Sequence, residues 1–312
     1  MCAVDCYPGA YGDFAVAVAP DPGWIYLNYS FFYSADIAET VLQGSVNLEL
    51  DIFSYVNLSM GSYTFEDPVL GAHFMMAVLV PLGYVELDAT VTDGITSLSV
   101  SDDETNLGDI SIIPASFYWD HDKWHFNLYE TIVAPTGQFD AGKPVSMGRN
   151  YWSFDTVFAS TYLNPDSGRE FSFAAGFMLN TTNKDTDYRT GNEFHIDVMF
   201  NQFLSESFGI GLHGYYYRQT SGDKGTGAIL GGLEGESAGI GPSFIWLPKS
   251  RGGRFFVSGT WLHDIGVNDS RMTPTGLSLP WVGYSATTDF LQIAITVSQK
   301  TSRSKRWARR SS

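Results

Sequence analysis

The sequence predicts an all-β chain closed into an antiparallel transmembrane β-barrel of about 12 strands. Three observations carry that expectation. Apolar residues recur at every second position, the alternating segments are long, and the connections switch between tight and extended. Composition agrees: aromatics reach 15% and glycines number 32, while charged residues are only 17%, a mixture that suits strands better than helices.

Read for period two, the chain places strands near 24–34, 45–60, 70–90, 109–120, 123–133, 152–163, 169–179, 191–203, 206–219, 231–247, 253–263 and 288–298. Most run for 10 to 17 residues. Strands of globular proteins have a mode of about five or six residues, whereas a tilted strand crossing a bilayer needs about 9–11. Length is the first mark of a membrane barrel.

The two faces of each strand differ in kind. In 169–179, Phe171, Phe173, Ala175, Phe177 and Leu179 oppose Glu170, Ser172, Ala174, Gly176 and Met178. In 193–201 the apolar row is Phe194, Ile196, Val198 and Phe200, against Glu193, His195, Asp197, Met199 and Asn201. In 208–219, Phe208, Ile210, Leu212 and Gly214 oppose Gly209, Gly211, His213, Tyr215, Tyr217 and Gln219. Leu291, Ile293, Ile295 and Val297 oppose Gln292, Ala294, Thr296 and Ser298 in the last strand. A soluble sandwich would put Lys and Glu on its wet face. Here that face is Gly, Ser, Thr, Asn, Tyr and His, as in a confined lumen with lipid outside. Closure then removes the exposed edges. Phe171, Phe173, Phe177, Ile196, Val198, Ile210, Leu212 and Ile293 are expected to point outward. Trp119, Trp124, Trp152, Trp246 and Trp261 fall near strand ends or on apolar rows, as belt residues would.

Register in the hairpin 191–219 follows from the same rows. Directly paired residues must sum to an even number if the faces are to match, which implies a loop of odd length, most simply three residues around Ser205. Phe200 is then expected opposite Phe208 or Ile210, and His195 opposite His213 or Tyr215. The connections 164–170 and 204–207 are tight, whereas 137–151, 180–192 and 262–289 are long and polar. Short turns on one side and long loops on the other fit an outer-membrane barrel.

Charge is unevenly placed. The formal net charge is −16, but six of the 18 Lys and Arg lie in residues 300–312, leaving −22 on the rest of the chain. Such a body repels nucleic acid. The basic tail reads as a solvated segment, or as one that touches anionic lipid or RNA. Cys2 and Cys6 lack the four-ligand pattern of a zinc site. The opening residues show neither a basic n-region nor an apolar core. The longest apolar stretch, residues 74–85, is interrupted by Pro81 and Gly83, well short of the roughly 20 residues of a spanning helix. The expected division is an N-terminal segment 1–22, a barrel 23–299 and a basic tail 300–312.

Seven phrases then stand out as an ordered set: "YPGAYGDF" (7–14), "LGDISIIPASFYW" (107–119), "APTGQFD" (134–140), "MGRNYWSFDT" (147–156), "NTTNKDTDYRTGNEFHID" (180–197), "GLHGYYYRQTSGD" (211–223) and "GIGP" (239–242). Together they resemble the outer-membrane transporter family named for the meta-pathway of phenol degradation. The resemblance spans nearly the whole chain. It implies a β-barrel of the Gram-negative outer membrane, often encoded beside aromatic catabolism, and it implies little chemistry.

Candidate site residues come from the inward rows. Glu193, His195 and Asp197 share one face of a strand, and His213 on the next strand joins them. They read either as a polar lumen wall or as a metal or proton site. Tyr215 and Tyr217 face inward and either stack on an aromatic solute or fill the lumen, with Gln219 beyond them. Tyr216, on the apolar row, reads as a girdle ring. Arg149 and Asn150 follow a long loop at the foot of a strand, where they set a constriction or satisfy a turn. The glycines of "TGAILGGLEG" (226–235) lack phosphate-loop spacing, and no nucleophile elbow appears. No catalytic residue, metal or cofactor is expected. The expected partners are outer-membrane lipid and a small hydrophobic or aromatic solute that diffuses through a narrow lumen. The alternatives are a structural or adhesive barrel with a plugged lumen, and a membrane-embedded hydrolase.

Overall fold

The computed structural model describes residues 9–12, 14–41, 46–93, 95–228, 231–232, 234–249, 255–269 and 285–298. Cys2, Cys6, the basic tail and most of the loop 262–289 therefore lie outside the described residues. The strands are β1 (Gly23–Val41), β2 (Val46–Thr64), β3 (His73–Thr92), β4 (Ser97–Leu107), β5 (Ile110–His121), β6 (Trp124–Ala134), β7 (Ser153–Asn164), β8 (Arg169–Asn180), β9 (Glu193–Ser205), β10 (Phe208–Gln219), β11 (Gly235–Trp246), β12 (Phe255–Asp269) and β13 (Ser285–Ser298). Among the described residues no helix is long and apolar enough to cross a membrane.

Every pairing is antiparallel, and the pairings form a ring. Each strand of β5 to β13 pairs with the next, β13 pairs with β1, β1 with β2, β2 with β3, and β3 with β5. That ring has twelve members, and all twelve expected strands are found in it. The thirteenth strand, β4, was not expected. It pairs along the far half of β3 (Leu82↔Leu107 to Thr92↔Ser97), whereas β5 takes the near half. Its sequence, "SLSVSDDETNL", is mostly polar and shows no apolar row, as suits a strand that stands beyond the ring with no lipid to face. β1, β2 and β3 run for 19, 19 and 20 residues, about twice a bilayer crossing, so their far ends project with β4.

Side chains follow the expected parity. On β8 and β10 the apolar rows face outward, with Phe177, Ile210 and Leu212 exposed and Phe171 and Phe173 half-buried. Trp24, Trp124, Trp152, Trp246 and Trp261 are exposed on the outer surface. Ser172, Met178, His195, Asp197, Met199 and His213 point into the interior and are buried.

The register of β9–β10 corrects one expectation. Leu212, rather than Phe208 or Ile210, lies opposite Phe200, and Tyr217, rather than His213 or Tyr215, lies opposite His195. The turn has two residues, with Ser205 paired to Phe208, and a bulge at Leu204 restores the even sum from Gly209↔Phe203 onward. The faces are therefore as expected, while the partners have slid by one inward step.

The turns that join β2–β3, β5–β6, β7–β8, β9–β10 and β11–β12 share one end of the ring with both ends of the strand series, and none exceeds eight residues. At the opposite end the described connections 135–152 and 181–192 are longer, beside the short link between β3 and β4. By barrel logic the short-turn end is periplasmic and the long-loop end extracellular.

Candidate functional site

The interior is filled from both ends. From the periplasmic end, residues 9–19 rise inside the ring and are held chiefly by side chains of β7, β8 and β9. The Ala17 N–H donates to Thr161 Oγ1 (3.1 Å), and the Ala15 N–H donates to Glu170 Oε1 (2.7 Å). Higher up, Asp197 accepts both the Gly9 N–H (3.2 Å) and the Tyr11 N–H (2.9 Å). A segment of turns and bends here needs acceptors from the wall, because most of its backbone has no ladder to join. Tyr11 closes the contact: its ring stacks on His195 at 3.7 Å, and its hydroxyl donates to Asp155 (3.0 Å).

The histidines meet carboxylates rather than a cluster of ligands. His195 Nε2 lies 3.1 Å from Asp155 Oδ1, and His213 Nε2 lies 3.4 Å from Asp197 Oδ2, with all four side chains buried. The ring of His195 occupies the space that a Cβ on Gly176 of the next strand would fill. Among the described residues no group of three or more His, Cys, Asp or Glu side chains is arranged to hold a metal ion.

From the extracellular end, the β6–β7 loop folds inward. Val145 and Met147 are fully buried and pack on Val85 and Leu87 of β3. Arg149 follows them into the interior, where its guanidinium lies 3.5 Å from Glu193 and 4.8 Å from the centre of the Tyr151 ring. Glu193 also accepts from Asn180 Nδ2 (2.6 Å) and from the Tyr217 hydroxyl (3.0 Å). Arg149, just ahead of β7, therefore points its side chain into the lumen. Gln219 turns instead to the loops and donates to Asp223 (2.6 Å), and Tyr215 donates to Asp264.

One knot fixes the loop. Asp109, fully buried at the break between β4 and β5, accepts the Gly137 N–H (2.8 Å) and the Arg149 N–H (2.7 Å). The backbones of Gly108, Gly137 and Gly148 touch there: a Cβ on Gly137 would lie 2.6 Å from the Gly108 carbonyl carbon, and one on Gly148 would lie 2.7 Å from that of Gly137. β4 supplies the outer side of the latch through Glu104 to Lys143 (2.8 Å), Asp102 to the Val145 N–H (3.3 Å) and the Leu107 carbonyl to the Gln138 N–H (3.1 Å). The Lys143 ammonium beside Glu104 holds that carboxyl below its usual range. The phrases at 107–119, 134–140 and 147–156 thus converge on one point.

Sequence reasoning found the β9 and β10 residues by parity but missed Asp109, Asp155, Glu170, Asp264 and Tyr11. Asp155 and Glu170 carry the same signal as Asp197, an acid on the inward row of an aromatic strand. Nothing in a periodicity reading marks Tyr11, since it lies on no strand.

The interior is also two-sided. Against the acid-bearing wall of β7, β8 and β9 stands an apolar patch in which Phe31, Val56, Tyr215 and Leu262 are buried, with Ala10, Tyr29, Tyr33 and Leu58 packed beside them. A ring of long antiparallel strands, aromatic outside, polar inside and filled by its own N-terminal segment, defines an outer-membrane β-barrel.

The chain belongs to the family described as "Putative MetA-pathway of phenol degradation", which matches residues 32–284. Among solved structures it is similar to the COG4313 outer membrane channel from Pseudomonas putida F1, with TM-score 0.64 and 11% identity over 94% of this chain and 99% of that one. A Pseudomonas aeruginosa FadL homologue matches at TM-score 0.43 and 8% identity, over 88% and 90% of the two chains. The transport unit of the Escherichia coli autotransporter AIDA-I matches at 0.49 and 10%, over the same shares. The first of these likenesses shows the fold, and the other two carry no argument. A search of curated proteins found no match.

Proposed function

We infer that the protein passes small hydrophobic or aromatic compounds across the outer membrane by diffusion, without covalent chemistry. The observation that carries this reading is the two-sided lumen. An aromatic and aliphatic wall offers contact to an uncharged ring, while the carboxylates opposite disfavour anions. The segment 9–19 occupies that space through contacts between its backbone and wall side chains, which water can replace when the segment moves aside. The Asp155–His195 pair that a hydrolase would need free is covered by Tyr11, which weighs against covalent chemistry. Glu193, His195, Asp197, His213, Tyr215, Tyr217, Gln219 and Arg149 serve in this reading as wall and gate rather than as catalysts.

The test is uptake of labelled neutral aromatics into cells with and without the protein, beside benzoate and a sugar of similar size. Faster entry of the neutral aromatics alone, altered by Tyr217→Ala in a barrel that still folds, is the expected result. Equal entry with and without the protein for every aromatic would sink the reading and favour a plugged structural or adhesive barrel.

A further inference from the structure

We propose that the lipid-facing side of the β1–β2 hairpin is the surface through which two copies of this chain associate in the membrane. The residues follow from register. Phe31 and Val56 are cross-strand partners whose side chains are buried inside the ring against Tyr215 and Leu262. Their neighbours Ser30 and Asn57, also partners, must therefore point outward, as must Asn28 and Ser59. On β8, β9 and β10 the corresponding outward rows are almost wholly apolar, as lipid requires. Here the row is built of amides and hydroxyls.

Those groups form one network. Asn28 and Asn57 exchange reciprocal bonds, Nδ2 to Oδ1 at 3.0 and 2.9 Å. Asn28 also reaches Ser59 Oγ (3.2 Å) and the Tyr26 hydroxyl (3.3 Å), which are 3.0 Å from each other. Asn57 extends toward Ser30, itself 3.5 Å from the Tyr55 hydroxyl. The reciprocal bonds leave each amide oxygen with a second lone pair. The Tyr26–Ser59 couple has one hydroxyl hydrogen more than their mutual bond uses.

Depth makes this arrangement informative. Aromatic contacts bracket the network on the outer surface, Trp24 with Tyr63 below and Phe32 with Tyr55 above. Eight residues separate Trp24 from Phe32 along β1, a rise of roughly 20 Å for a tilted strand, close to the height of the apolar band of such barrels. The network thus sits at hydrocarbon level, where lipid tails can satisfy none of its spare capacity.

A second copy fits better than any other occupant. A two-fold axis along the membrane normal brings identical residues together at identical depth, and an amide is both donor and acceptor, so the patch complements itself. It carries no formal charge, and the first acids of the same outward row of β2, Asp51 and Glu49, lie beyond Tyr55 and Phe53. The flanking rings supply an apolar rim around a hydrogen-bonding centre.

The experiment uses the full chain with Cys2→Ser and Cys6→Ser, carrying either Asn57→Cys or, on the lipid face of β7, Phe158→Cys. Oxidation in native outer membranes should give a dimer band for Asn57→Cys that is about tenfold stronger than for Phe158→Cys. The Asn28→Leu/Asn57→Leu variant should keep the heat-modifiable mobility of a folded barrel and dimerise about tenfold more weakly in nanodiscs. Equal bands at the two positions, a cross-link to a different membrane protein, or unweakened dimers of the folded leucine variant would each overturn the proposal.

Discussion

Tyr11 ties the N-terminal segment to the wall, and two of its side-chain contacts can be separated. Tyr11→Phe keeps the stack on His195 and removes the 3.0 Å bond from the hydroxyl to Asp155. A hydrogen bond to a charged group contributes about 1.5–3 kcal/mol. Water re-entering an opened lumen solvates Asp155, so the lower end applies, about 1.5 kcal/mol or roughly tenfold in the open population. Tyr11→Ala also removes the stacked ring, worth about 0.5–1.5 kcal/mol beyond the area it covers. Together the losses reach about 3 kcal/mol, roughly a hundredfold. Single-channel recording in planar bilayers measures the open fraction directly, and the expected order is wild type, then Phe, then Ala. If deletion of residues 9–19 opens the pore while Tyr11→Ala conducts no more than wild type, the anchor lies elsewhere and this reasoning fails. Equal effects of Phe and Ala would show that the stack contributes nothing.

Two further outcomes follow from the loops. Gly148→Ala places a methyl 2.7 Å from a backbone carbon that has nowhere to retreat; the expected cost is about 1–3 kcal/mol, read as protease cleavage within 137–151 that wild type resists. At the extracellular cap, bonds from the Thr226 N–H (3.0 Å) and hydroxyl (2.8 Å) hold the Asp187 carboxyl below its usual range. A carboxyl depressed in the folded state contributes stability above its unfolded pKa and loses it as pH falls through the lower folded value. Protection of the Thr226 amide against hydrogen exchange, taken relative to the intrinsic rate at each pH, should therefore hold down to about pH 4 and fall only below it, while Asp187→Asn should flatten that profile. Protection that already falls near pH 6 would contradict the assignment.

Period-two alternation determined the class of this protein by itself. A strand has only two faces, and a membrane barrel gives each a single solvent, so Phe171, Phe177, Ile210 and Leu212 and their opposites Ser172, His195 and His213 could be sorted without coordinates. Parity also fixed which faces pair on β9 and β10. It could not fix the partners, because a two-residue turn followed by a one-residue bulge at Leu204 has the parity of an odd loop yet sets the ladder one inward step away, and neither leaves a trace in the alternation. β4 escaped for the opposite reason: beyond the bilayer both faces meet water, and the signal vanishes. The interior was decided by tertiary structure alone. That Asp197 holds the backbone at Gly9 and Tyr11, and that Asp109 ties Gly137 to Arg149, are contacts between residues 28 to 188 positions apart. Such contacts exist only once the ring has closed and brought its far walls, its N-terminal segment and its inward loop into one space.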